Sequence, residues 1–174
     1  GDRADQQAAG AVGPESEINV VQHAGIGAQF EAERHAILTL ERDPAKLRGE
    51  VLAMRQRMLD SHPAHDGDVK NARGGIIDIE FIVQYLILAH AKTLPALTGN
   101  TGNIALLAVA ADAGLIDPRL AEDARAAYRL YRRLQHAARL NDKKTVDVDE
   151  PLRVAYARGR ELWRQVFEQA LDFS

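Results

Sequence analysis

The residues best suited to chemistry lie between Asp68 and Tyr85, where Lys70, Arg73, the pair Gly74–Gly75, Asp78, Glu80 and Gln84 crowd against the most apolar run of the chain. Lys70 and Arg73 precede a helix start at Gly75. A helix N-terminus offers free N–H groups and the positive end of a dipole, so two cations beside it suit a phosphate or a carboxylate. The glycine pair lets the backbone turn tightly or come close to another surface. The plainer alternative is that Lys70 and Arg73 pair with Asp78, Glu80 or a neighbouring helix and set the entry angle of the helix that follows. From the residue types alone that alternative is preferred.

Asp78 and Glu80 are two positions apart, so on a helix they point roughly 200° from one another and cannot serve one site. One of them is expected to be structural. Glu80 and Gln84 share a face, and in so apolar a helix such a pair is expected to meet a neighbouring chain or domain, or a buried arginine. Elsewhere the signals are weaker. His62 and His65, with Asp66, have a spacing that could bring two imidazoles to one metal, but no third ligand stands at a recognisable distance, and a solvated loop is the expectation. Asp147-Val-Asp149 has the form by which nucleotidyltransferases hold Mg²⁺, yet it lacks a Gly-Ser phosphate loop before it and reads as coincidence. No metal site is expected, and no Ser-His-Asp set or P-loop completes an active site.

The elements that must position these groups read as helices. Aromatic residues make up 5% and hydrophobic residues 46% of 174, with Ala, Leu and Arg plentiful, which favours an all-α domain with a sizeable core. A net charge of −3 without a strongly basic half speaks against nucleic acid. The absence of cysteine excludes disulfides and thiolate metal sites. Asp78, Glu80 and Gln84 interrupt the longest apolar run, so no membrane span is expected, and a cytoplasmic protein fits. Residues 1–26 read as a loose leader, disordered or partly foreign, and residues 27–174 as one helical domain.

About six helices are predicted. The first, about 27–42, turns Phe30, Ile37, Leu38 and Leu40 inward. Asp43-Pro44 caps a second to about Asp60, with Leu47, Val51, Met54 and Met58 on its core stripe. The third, about 75–92, is apolar around nearly its whole circumference and is expected at the centre of the bundle. A fourth runs from about Thr101 to Ala113 with Ile104, Leu107 and Ala111 inside and Gly114 as its stop. Asp117-Pro118 opens a long fifth to about Leu140, with Leu120, Ala124, Ala127, Tyr131, Leu134 and Ala138 inside. Its Arg125, Arg129, Arg132, Arg133 and Arg139 read as a solvated face or an acidic-partner surface. A last helix starts at Pro151 and buries Leu162, Trp163, Val166, Phe167 and Ala170.

The run Asp68 to Tyr85, with Lys70, Gly74-Gly75 and Asp78-Ile-Glu-Phe-Ile-Val-Gln, resembles the bifunctional glutamine synthetase adenylyltransferase and adenylyl-removing enzymes. Arg48-Gly-Glu-Val-Leu-Ala-Met-Arg-Gln-Arg-Met before it and Leu97-Thr-Gly-Asn-Thr-Gly-Asn after it extend the likeness over about residues 27–170. The resemblance implies a helical module that follows the second, adenylylating nucleotidyltransferase domain, and a parent that moves AMP from ATP, with Mg²⁺, onto a tyrosine of glutamine synthetase. It implies that the upstream domain, glutamine synthetase, the PII signal protein and glutamine are partners or effectors. The catalytic residues would lie outside this chain, which would bind no cofactor by itself and be inactive alone. By resemblance Lys70 and Arg73 stand nearest the nucleotide or the catalytic domain's acidic cleft. Gly74 and Gly75 would permit the approach, and Asp78, Glu80 and Gln84 would hold the interdomain surface.

Overall fold

The computed structural model describes residues 31–99 and 101–168. The leader assigned to 1–26, and the inward-facing Phe30 and Ala170, lie outside the described residues. Among the described residues six α-helices follow one another: α1 Glu31–Leu38, α2 Pro44–Ser61, α3 Ile76–His90, α4 Asn103–Asp112, α5 Pro118–Leu140 and α6 Glu150–Phe167, with a 3₁₀ turn at Pro95–Thr98. No strand occurs among the described residues. The fold is the all-α bundle expected from composition.

Three helix starts share one device. Asp43, Asp117 and Asp149 each precede a proline-containing first turn and accept hydrogen bonds from its backbone N–H groups. Asp149, half of the Asp-x-Asp pair, receives Leu152 N at 3.0 Å, so it is a cap of α6.

Helix α3 sits at the centre, against α2, α4, α5, α6 and the 3₁₀ turn. From Ile76 to Leu88 every residue but Glu80 is buried. Each fully buried isoleucine or leucine there contributes about 1.5–3 kcal/mol relative to exposure. Helices α5 and α6 form the longest antiparallel contact. Tyr85 of α3 meets Phe167 of α6 at 5.1 Å between ring centroids, and Phe167 meets Trp163 at 4.4 Å.

Some inward assignments move. In α2 the stripe Leu47, Val51 ends on Arg55, which is fully buried, while Met54 and Met58 are only half-buried. In α4 the buried residues are Leu106, Leu107 and Ala110, while Ile104 and Ala111 are half-buried at the rim of that face. Leu40 lies beyond the end of α1 and is exposed. Arg42 takes over there, its guanidinium donating to the carbonyl of Ile37 at 2.6 Å and closing the helix end. Arg34 is buried and donates to the Thr98 carbonyl at 2.6 Å, fastening α1 to the 3₁₀ turn.

Candidate functional site

The α2–α3 connection, residues 62–75, is a ledge pinned from below. Asp68 folds its first turn, accepting from Lys70 N at 3.1 Å, Asn71 N at 3.3 Å and Asn71 Nδ2 at 2.8 Å. Tyr156 of α6 donates its hydroxyl to Asp66 O at 2.6 Å, and Val146 N, from the α5–α6 linker, donates to Gly67 O at 2.8 Å.

Beneath the ledge lies a buried ion pair. Arg55 Nε is 2.6 Å from Asp78 Oδ1, with side chains 1% and 2% exposed. Asp78 Oδ2 accepts from Gly74 N at 2.6 Å, and Arg55 Nη2 donates to Asn71 O at 3.0 Å. A single carboxylate thus ties α2, the ledge and the first turn of α3 together. Charge pairing and hydrogen bonds at once are what a buried pair needs to be tolerated. Arg55 Nη1 is buried without a hydrogen-bond partner among the described residues.

Gly74 has a φ of 79°, the left-handed region, and its carbonyl accepts from the Tyr131 hydroxyl at 2.8 Å. A Cβ on Gly74 would strike the carbonyl of Tyr156, and one on Gly159 of α6 would strike the carbonyl of Gly74. The surface that Gly74 approaches is therefore α6 of the same bundle, whereas a Cβ on Gly75 would strike the carbonyls of Val69 and Ala72 in its own loop. Burial pushes the Tyr131 and Tyr156 hydroxyls well above the usual tyrosine range, so both remain donors.

These bonds correct one expectation. The amides at the start of α3 are not free for an anion: Gly75 N bonds Ala72 O, Ile76 N bonds Val69 O and Ile77 N bonds Lys70 O. The loop wraps back over the helix end and uses its own carbonyls as caps. Lys70 and Arg73 are exposed, yet they face different neighbours. Arg73 lies over Trp163 of α6, 5.6 Å from the ring centroid. Lys70 lines a groove with Asn71, Gln135, Arg139, Lys143 and Lys144.

The pairing of Asp78 with Arg55 and the exclusion of Glu80 from that site agree with their opposite directions on α3. Asp78 and Gln84 are only 1% and 3% exposed, so neither can form an exposed interdomain surface. Gln84 Oε1 is buried with no hydrogen-bond partner among the described residues. Glu80 is half-buried and accepts from the Tyr128 hydroxyl at 3.2 Å, which in turn accepts from Asn103 Nδ2 at 3.1 Å. Burial raises the Glu80 carboxyl above its ordinary value, while the Tyr128 bond and the charges of Arg132 and Lys70 oppose that rise. His65 Nδ1 accepts from Gly67 N at 3.0 Å as part of the loop. Among the described residues no three His, Asp or Glu side chains are grouped to hold a metal ion, and no helix is long and apolar enough to cross a membrane.

Sequence reasoning missed Arg55, Tyr156 and Gly159, and it placed Tyr131 in the core without its bond to Gly74. Arg55 carried a signal, since Leu47, Val51 and Arg55 recur every four positions on one stripe.

Residues 45–171 match the family model described as GlnD PII-uridylyltransferase. A bifunctional glutamine synthetase adenylyltransferase/adenylyl-removing enzyme of Chromobacterium violaceum is 92% identical over 155 residues, 89% of this chain and 17% of that protein. Proteins of the same name from Neisseria meningitidis and Aromatoleum aromaticum are 54% and 47% identical over 138 and 149 residues, covering 79% and 84% of this chain. The chain spans about a sixth of the length of these curated relatives, 15% and 16% of the latter two. It belongs to the GlnD PII-uridylyltransferase family, and these three relatives carry the name bifunctional glutamine synthetase adenylyltransferase/adenylyl-removing enzyme.

Proposed function

We propose that this chain is the helical module that follows the adenylylating nucleotidyltransferase domain of such an enzyme, and that it supports and regulates the transfer of AMP from ATP to a tyrosine of glutamine synthetase. The observation that carries the reading is the ledge. A buried Arg55–Asp78 pair and two tyrosine hydroxyls hold residues 66–74 from within, while the side chains of Lys70 and Arg73 remain exposed above them. A rigid backbone presenting cations suits an acidic partner surface, because little side-chain or loop order is lost on docking.

In this reading ATP and Mg²⁺ are held by the upstream domain of the same chain, so the module alone is inactive. Lys70 and Arg73 face that domain's nucleotide or its acidic cleft, Gly74 lets the ledge close onto α6, and Gly75 lets the loop fold back over the start of α3. Glu80 lies at the margin of this face, with Asp78 and Gln84 inside the module. Glutamine synthetase is the substrate, PII and glutamine are the regulatory inputs, and the setting is nitrogen control in the cytoplasm.

The test is AMP incorporation by the full-length enzyme carrying Lys70→Ala and Arg73→Ala. Slower transfer with an unchanged melting temperature supports the reading. Unchanged transfer, together with loss of the PII response on charge reversal along α5, supports a docking module without nucleotide contact. The exposed Arg133, which has no ion-pair partner among the described residues, favours keeping that second reading.

A further inference from the structure

The α2–α3 ledge and the C-terminal end of α5 enclose a groove of about 310 Å³. Among the described residues its charged lining is Lys70, Arg139, Lys143 and Lys144 against a single carboxylate, Asp68. That concentration of cations stands on a chain whose net charge is −3. The Asp68 carboxylate is engaged by three donors of its own loop. Among the described residues none of the four cations has an ion-pair partner. A second recess of about 470 Å³ shares Ala138, Lys143, Lys144 and Val146 with the first and adds one exposed acid, Asp147.

The convergence of these cations is built by the backbone. Helix α5 ends in a Schellman turn: Asp142 N donates to Arg139 O at 3.1 Å and Lys143 N to Ala138 O at 2.8 Å, with Asp142 at φ 53° in the left-handed position. This reversal folds Lys143 and Lys144 back beside Arg139. The Val146–Gly67 bond then clamps the linker to the ledge that carries Lys70. The remaining lining includes small residues, Gly67 and Ala138, and two half-buried amides, Asn71 and Gln135. Gln135 Oε1 is occupied by Arg132 Nη1 at 3.2 Å, which leaves its N–H groups as donors.

We infer that this groove binds a linear polyphosphate, the chemistry shared by inorganic triphosphate and the phosphate tail of a nucleotide. Four like charges held within one concavity repel each other, and a multivalent anion with several acceptor oxygens relieves that repulsion better than separate carboxylates do. The volume suits a small anion rather than a folded partner. The inference shares Lys70 with the adenylylation reading and otherwise rests on Arg139, Lys143 and Lys144, which take no part in it and are the residues replaced in the test.

The test is calorimetric titration of the 174-residue chain with sodium triphosphate and, in a parallel arm, with ATP. Saturable one-to-one binding is expected, weakened by about tenfold or more in the pair Lys143→Gln/Lys144→Gln and again in Arg139→Gln, and unchanged in Lys92→Gln, which lies outside the groove. All these side chains are exposed, so far-UV circular dichroism should show an intact fold. Equal affinity for both probes identifies the phosphates alone as the determinant, and tighter ATP binding with the same sensitivity adds the nucleoside. The inference is overturned by the absence of saturable binding, by insensitivity to the groove variants, or by an equal loss in Lys92→Gln.

Discussion

Replacing Asp78 by Asn changes the charge of the lock beneath the ledge while keeping its shape. The pair it interrupts is buried on both sides, 1% and 2% exposed, so Arg55 is left charged with only the Asn71 carbonyl and a neutral amide oxygen for company. Breaking one partner of such a pair costs about 3–5 kcal/mol, against a total stability of about 5–15 kcal/mol for a domain. Arg55→Met is expected to cost a similar amount, because it leaves Asp78 buried and charged. The double variant Arg55→Met/Asp78→Asn buries no charge. Its Asn still accepts from Gly74 N, and the remaining penalty is that of the orphaned Asn71 carbonyl and the Asn amide N–H groups that replace Asp78 Oδ1, about 1–3 kcal/mol. The double variant should therefore be no less stable than either single one. Urea unfolding followed by far-UV circular dichroism measures all three. A cost below about 1 kcal/mol for Asp78→Asn, or a double variant as unstable as the two singles added, would refute the reasoning.

Gly159→Ala should destabilise the protein by about 1–3 kcal/mol or more, despite the better helix propensity of alanine, because its Cβ meets the Gly74 carbonyl; thermal melting checks it. Glu80→Gln keeps an acceptor for Tyr128 and removes a carboxyl whose folded value is raised above its ordinary 4.5 by burial. A raised carboxyl favours the folded state below 4.5 and loses that contribution as pH rises through the folded value, so the variant should gain stability relative to the parent near neutral pH and lose the gain on acidification, as read from melting at several pH values. Asp149→Ala removes the cap of α6 and should cost about 1 kcal/mol in urea unfolding, with or without Mg²⁺ present.

The helices were legible because their signals are local. Asp-Pro at 43–44 and 117–118 marked two starts to the residue, and the all-round apolar character of 76–88 placed α3 at the centre. The opposite directions of Asp78 and Glu80 were legible from helical spacing alone. What the sequence left hidden is what depends on distant partners. Arg55 and Asp78 are 23 positions apart, Tyr131 and Gly74 57, and Tyr156 and Asp66 90. Gly159 looked like an ordinary helical glycine until α6 was seen against Gly74. The start of α3 was read as open because nothing local says that the preceding loop folds back over it.

The central claim is that the ledge faces the upstream nucleotidyltransferase domain, and lysine acetylation footprinting tests it most directly. Lys70 and Lys92 are both exposed in this module. In the full-length enzyme Lys70 should become less reactive than in the isolated 174-residue chain, while Lys92, paired with Glu41 at 3.0 Å, keeps its reactivity. Equal reactivity of Lys70 in both would contradict the account.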